Sequence, residues 1–316
     1  MNQFFATCPR GLEAVLAQEL VALGATHAKA TDGGASFSGP MALCYRVNLE
    51  SRVASRVLWQ IDHAPYRIEE DVYQRARSLP WENWFTPHDT IAVKVTAQRC
   101  QLKSLEFITL RIKDAACDHF RHLTGIRPSV DTKQPDVRIH AYFDAQQFTL
   151  YLDTSGEALF KRGYRQFTGE APLRENLAAG ILKLAGWAPG MSLLDPICGS
   201  GTFVLEAALM AQHIAPGINR PFGFERLKNF EREVWETMRL EARGQVLPAT
   251  TLPIYGSDID KWAVIDANKN LENAGLSNVA TVVEQDILDI TAPADNGVLV
   301  MNPPYGERIG EADELA

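Results

Sequence analysis

From about residue 171 onward, short apolar runs alternate with helix-patterned segments, and this alternation constrains the fold more than any other feature of the chain. Strands separated by helices cannot close as hairpins, so they stack as a parallel, doubly wound α/β sheet. The pattern predicts helices over residues 173–185, 203–214 and 261–274, with a charged helical region over 226–243. Strands are expected over 192–195, 252–257, 279–284 and 298–301.

Ligands of such sheets lie beyond the carboxyl ends of the strands, and each strand end here carries polar or glycine-rich residues. The first strand runs into Asp195-Pro196-Ile197-Cys198-Gly199-Ser200-Gly201-Thr202, where missing Cβ atoms let backbone approach a ligand. This turn is neither a GxGxxG fingerprint nor a phosphate-binding GxxxxGK[ST] loop. The second strand ends in Gly256-Ser257-Asp258-Ile259-Asp260, which gives Asp258 the position to hold both hydroxyls of a ribose. The third ends in Gln285-Asp286-Ile287-Leu288, where Asp286 can accept from an adenine amino group while Ile259 and Ile287 cover the ring faces. Alone, either aspartate also fits a helix N-cap. Together with the glycine turn they describe a site for an adenosine with a polar tail.

The fourth strand ends in Asn302-Pro303-Pro304-Tyr305-Gly306. An exocyclic amine conjugated to a planar ring has its lone pair drawn into the π-system, so a methyltransferase must supply acceptors that reorient it. The side-chain oxygen of Asn302 and the carbonyl of Pro303 can each accept one N–H, and neither proline carries a competing donor. Tyr305 can stack on the target base. In isolation the tetrapeptide also fits a proline turn that closes a buried strand.

The first half reads as α+β. Helices are expected over residues 11–20, with Gly24 as the stop, over 41–48 and over 104–124. Strands are expected over 35–39, 55–64 and 90–96, and 137–143 pairs with 148–153 through a turn at 144–147. Residues 160–165 exit into a linker.

A length of 316 residues suggests about two or three domains. No apolar run is long enough to span a bilayer, and Met1-Asn2-Gln3-Phe4-Phe5 lacks the basic start and apolar core of a signal peptide, so the expectation is a cytosolic protein with no membrane partner. Cys8, Cys44, Cys100, Cys117 and Cys198 show no CxxC or Cys/His spacing, which argues against disulfides and against a metal site. The net charge of −8 hides an asymmetry: residues 1–165 carry 20 Lys and Arg against 18 Asp and Glu, and residues 166–316 carry 11 against 21. A phosphate-binding face is therefore sought within 90–165, with Lys94, Arg99, Lys103, Arg111, Lys133, Arg138, Lys161 and Arg162 as candidate RNA contacts. An ordinary solvated surface fits the same composition.

Residues 195–202, 258–260 and 302–306 resemble motifs I, II and IV of class I S-adenosylmethionine-dependent amino-methyltransferases. Phe167-Thr168-Gly169-Glu170-Ala171-Pro172-Leu173-Arg174-Glu175-Asn176 resembles that group's motif X, which packs near the methionine part of the cofactor. Residues 135–139 and 153–165 resemble the ends of a THUMP domain, and the combination is similar to the THUMP-type bacterial methyltransferases of guanine N2 in 23S ribosomal RNA. The resemblance implies S-adenosylmethionine as cofactor, ribosomal RNA as partner, and a Rossmann-like class I methyltransferase domain preceded by an α+β ferredoxin-like and THUMP region. Its implied boundaries are 1–55 for the ferredoxin-like segment, 56–158 for THUMP, 159–172 for a linker and 173–316 for the methyltransferase domain. Cofactor contacts would come from Phe167, Thr168, residues 195–202, Asp258, Ile259, Asp286, Ile287 and Asn302. Residues 302–305 would bind the target amine.

The expected chemistry is in-line methyl transfer governed by positioning and desolvation, with no cysteine nucleophile and Cys198 as a packing residue. Four other readings share parts of the pattern: a tRNA guanine-N2 methyltransferase, a DNA adenine or cytosine amino-methyltransferase, a protein glutamine methyltransferase and a non-catalytic RNA-binding module. Only four strands of the family's seven-stranded sheet can be counted before the chain stops. The expectation is an incomplete sheet from a longer protein, with the activity of this piece open.

Overall fold

A computed structural model of the chain describes residues 1–165 and 173–303. Its strands are β1 (Asn2–Thr7), β2 (Thr26–Thr31), β3 (Gly34–Gly39), β4 (Arg56–Pro65), β5 (Ile91–Ala97), β6 (Val137–Phe143), β7 (Gln147–Asp153), β8 (Leu193–Asp195), β9 (Ile254–Asp258), β10 (Thr281–Glu284) and β11 (Val298–Leu299). The helices are α1 (Glu13–Ala22), α2 (Met41–Glu50), α3 (Glu69–Arg77), α4 (Leu105–Thr124), α5 (Glu175–Leu184), α6 (Thr202–Ala211), α7 (Arg232–Gly244) and α8 (Lys261–Asn273). They fall into two compact units, Met1–Leu159 with Asn219–Leu240, and Phe160–Ile218 with the described part of Glu241–Ala316.

In the first unit the described strands form one sheet in the order β2-β3-β1-β4-β7-β6-β5, antiparallel except for the β5–β6 pair. The sheet is continuous across residue 55, because β4 pairs with β1 on one side and β7 on the other. The β6–β7 hairpin forms where alternation predicts it, with Ile139, Ala141 and Phe143 facing Leu152, Leu150 and Phe148. The Asp144 carboxylate accepts from the amides of Gln146 and Gln147 and so fixes the turn. Ser104 caps α4 by accepting the Phe107 amide, and Gly125 ends that helix in the left-handed conformation. Between those caps Ile108, Ile112, Ala115, Ala116 and Phe120 are buried at helical spacing. Each such isoleucine or phenylalanine contributes roughly 1.5–3 kcal/mol on burial.

Residues 219–240, counted with the second half by the sequence reading, pack instead within the first unit. Their aromatic side chains enclose Tyr45: its ring lies 4.5 Å from Phe224 and 5.9 Å from Phe230, and Phe224 lies 5.0 Å from Trp235. Arg220 donates to the carbonyls of Glu157 and Ala158, which locks the same segment onto the end of the β7 turn.

The second unit contains a parallel sheet in the order β10-β9-β8-β11 among the described residues. Its core joins Leu193, Ile254 and Val282 of the strands to Val204, Val264, Ala267 and Leu271 of the helices. Helix α6 is buried from Thr202 through Leu209, because it packs between sheet and helices on all sides. The strand expected over 298–301 shortens to Val298–Leu299, although the Val300 amide still bonds the Leu194 carbonyl at 3.0 Å.

Candidate active site

The parallel register carries the ends of β8, β9 and β10 to one edge of the sheet. Asp195 pairs with Gly256, and Asp258 pairs with Glu284. Beyond β8 the chain must turn sharply back into α6, and it does so through Gly199 at φ +53° and Gly201 at φ +81°. A Cβ on Gly201 would lie 2.9 Å from that of Ala267 in α8, and one on Gly256 would lie 2.8 Å from Val204 Cγ2. Glycine at these two positions lets the α6 start approach α8, and α6 approach β9, this closely. Around Gly199, by contrast, a Cβ would meet nothing within 4 Å, so that glycine faces open space.

Backbone hydrogen bonds fix the turn. The Cys198 amide donates to the Ser257 carbonyl and the Gly201 amide to the Cys198 carbonyl, both at 2.8 Å. The buried Asp258 carboxylate accepts the Gly199 amide at 2.8 Å and the Asp260 amide at 3.0 Å. Asn270 of α8, fully buried, donates to the Ser200 carbonyl at 3.2 Å. Asn270 carries no motif, and only the fold reveals its part in holding the turn.

Asp195 is 1% exposed. Burial pushes its carboxyl up to about 7, the Ile197 amide offsets this in part, and the charge of Asp258 adds to the rise. Burial also pushes the Cys198 thiol far up, with Asp195 and Asp258 adding to it. A thiol so placed is a packing group, and it sits against Gly256. Pro196 is buried, Ile197 and Ser200 are half-buried, and Thr202 opens α6.

The expected adenine-facing residues occupy the neighbouring strand ends. Ile259 is 70% exposed and Ile287 41% exposed. Asp286 accepts the Leu288 amide at 2.9 Å and caps a short 3-10 turn, so one of its oxygens has a capping role. Asp260, rather than Asp258, caps α8. Asn302 and Pro303 are exposed just past β11, the strand beside β8. Phe167, Thr168, Pro304 and Tyr305 lie outside the described residues.

Of the candidate RNA contacts, Lys94, Arg99, Lys103, Lys133 and Lys161 are exposed. Arg111 is paired with Glu70 and lies 4.0 Å over the Tyr73 ring, and Arg138 donates to the Lys133 carbonyl. Arg162 corrects the sequence reading. It is 2% exposed and its Nε lies 3.2 Å from Oε1 of Glu206, which is fully buried in α6. A charge is stable there only with its partner, so Arg162 is a core residue and no phosphate contact. Among the described residues no group of three or more His, Cys, Asp or Glu side chains could hold a metal ion, and no helix is long and apolar enough to cross a membrane.

Three family models match this chain in sequence: the RlmL ferredoxin-like domain over residues 3–58, the THUMP domain over 66–153, and the RMKL-like methyltransferase domain over 162–316. A solved structure described as "SMU.472, a putative methyltransferase complexed with SAH" superimposes with a TM-score of 0.89 and 33% identity, covering 99% of this chain and 83% of that one. The chain belongs to the RMKL-like methyltransferase family. The ribosomal RNA large subunit methyltransferase K/L of Cellvibrio japonicus is 42% identical over the whole of this RMKL-like chain, which spans 44% of that relative's length. The structure of a "predicted N6-adenine-specific DNA methylase" from Listeria monocytogenes has 31% identity and a TM-score of 0.90, covering 99% of this chain and 82% of that one.

Proposed function

We propose that the chain binds S-adenosylmethionine along the carboxyl ends of β8, β9 and β10 and directs its methyl group to the exocyclic N2 of a guanine in 23S ribosomal RNA. The observation that carries the reading is the edge itself: the open Gly199, the buried Asp195 and Asp258, and the exposed Ile259 and Ile287 stand on three adjacent strand ends. These residues fit the cofactor. The open space at Gly199 is a cradle that any Cβ would fill, Asp258 offers a carboxylate to paired hydroxyls, and the two isoleucines offer apolar faces to a flat ring. When bound, S-adenosylmethionine supplies an electrophilic methyl group.

The residues of the chain do the rest. Asn302 and the Pro303 carbonyl accept the two N–H bonds of the target amine, which turns its lone pair toward the site. Tyr305 stacks on the guanine. Proximity and exclusion of water then provide the rate, and the proton leaves to Asn302, the Pro303 carbonyl or water. The name of the Cellvibrio relative supports ribosomal RNA as substrate, and the THUMP match supports RNA contacts in the first half. Lys94, Arg99, Lys103, Lys133 and Lys161 are the proposed phosphate contacts, with Arg138 alongside them. We divide the sequence into segments 1–55, 56–158, 159–172 and 173–316, with residues 219–240 of the last packed within the first unit. The Listeria neighbour's name favours a second reading, amino-methylation of adenine in DNA.

Asn302→Ala tests the acceptor role. The variant should lose at least about 100-fold in methyl transfer, the scale on which a positioned polar group acts, and far less in S-adenosylhomocysteine affinity, to which Asn302 is one contact among many. Near wild-type turnover would remove Asn302 from the mechanism.

A further inference from the structure

We infer that Arg165 is a positioning residue for the amino-acid tail of the cofactor, acting through the hydroxyl of Thr202. The inference rests on the S-adenosylmethionine reading and assigns a role that neither the motifs nor the family matches give to this arginine.

The side chain of Arg165 is only 7% exposed and reaches two helix starts at once. One terminal nitrogen donates to Thr202 Oγ1 at 2.5 Å and to the Leu173 carbonyl at 2.8 Å, and Nε lies 3.5 Å from Glu175 Oε1. Thr202 is the first residue of α6, directly after the glycine turn, and Glu175 is the first residue of α5. Gly201, at the α6 cap position, has no side chain to bond the helix start. Arg165 therefore ties the α6 start to the start of α5.

Electrostatics make this placement unusual. A helix N-terminus carries partial positive charge, so a buried cation beside it is opposed by the helix dipole. Glu175 answers part of that charge from the α5 side. Arg165 Nε has no hydrogen-bond partner among the described residues. Two positive features thus converge at the α6 start, and a ligand carboxylate satisfies both. The topology fixes which end of the cofactor lies there. Asp258 and Ile259 hold the ribose and adenine at β9, and β8, feeding the glycine turn, lies next in the sheet on the side away from β10. The tail, with its carboxylate, must extend toward Gly199–Thr202.

A residue that merely supported the fold would affect every ligand alike, whereas Arg165 should be sensed only by ligands that possess the tail. Binding of S-adenosylhomocysteine and of 5′-methylthioadenosine, which has the same nucleoside but no amino acid, is measured by calorimetry on the 316-residue chain and on Arg165→Ala, Thr202→Val and Thr202→Ser. Arg165→Ala and Thr202→Val should each weaken S-adenosylhomocysteine about tenfold or more and leave 5′-methylthioadenosine within about twofold, and the double variant should be no worse than the poorer single one. Thr202→Ser keeps the hydroxyl and should bind like the wild type. Equal losses for both ligands, or no loss for either, would overturn the role of Arg165. A wild-type chain that bound neither ligand would instead overturn the cofactor reading itself. Valine has nearly the shape of threonine, so Thr202→Val tests the hydroxyl even if Arg165→Ala fails to fold.

Discussion

The Asp258 carboxylate accepts the Gly199 amide at 2.8 Å, which ties the end of β9 to the turn that follows β8. The two residues stand 59 positions apart, and the bond sets the spacing between the proposed ribose and tail ends of the site. A charged acceptor holding a backbone amide is worth about 1.5–3 kcal/mol.

Replacing Asp258 by alanine therefore removes both a ribose acceptor and the brace of the turn. S-adenosylhomocysteine should bind about 100-fold more weakly, and Asp258→Asn, which keeps an acceptor oxygen, should lose about tenfold. Calorimetry gives both values. Unchanged affinity in Asp258→Ala would take this carboxylate out of the site.

Asp195 makes the unliganded protein sensitive to pH. Its carboxyl is raised to about 7 by burial, so it holds a proton in the fold that the unfolded chain has already lost above its ordinary 3.8. The sign follows from proton linkage: the contribution of this group is full below pH 3.8, declines as pH rises toward 7, and stays lost above that. Asp195→Asn should thus be more stable than the wild type at about pH 8, by an amount on the order of a few kcal/mol, with the difference vanishing near pH 4. Denaturant titrations at about pH 4, 6 and 8 measure it. A pH-independent difference would contradict the burial of an ionisable group here.

Arg162 and Glu206 are both buried and 3.2 Å apart, so removing Arg162 leaves the buried Glu206 carboxylate without this counter-charge. Arg162→Ala should cost about 3–5 kcal/mol in stability, whereas Arg162→Met with Glu206→Leu should recover most of it. Neither change should alter the salt dependence of RNA binding. Lys94→Ala and Lys103→Ala, at exposed positions, should each lower the slope of log K against log salt by about one. A lowered slope in the double Arg162/Glu206 variant would return Arg162 to the RNA face.

The fold is legible in the sequence where burial alternates strongly. The β6–β7 pair has buried residues on every second position of β6, and α4 has apolar residues at helical spacing between a serine cap and a glycine stop. It is illegible where an element buries little. In β2 five of six residues are exposed, so Thr26–Thr31 has no hydrophobic alternation to read. In α3 only Val72 and Ala76 are buried among charged neighbours. The return of residues 219–240 to the first unit depends on long-range aromatic packing around Tyr45, which no local pattern encodes. The candidate site divides in the same way. Its strand ends carry recognisable residue types, but the burial of Arg162 and the braces made by Asn270 and Arg165 emerge only when distant segments meet.

The most direct test of the proposed activity is the identity of the methylated nucleoside. The chain is incubated with methyl-labelled S-adenosylmethionine and, separately, unmodified 23S ribosomal RNA and unmethylated DNA, and the products are digested to nucleosides and resolved by mass. Label in N2-methylguanosine from the RNA alone, absent with Asn302→Ala, is the predicted result. Label in N6-methyldeoxyadenosine from the DNA, or N2-methylguanosine formed equally well by Asn302→Ala, would contradict it.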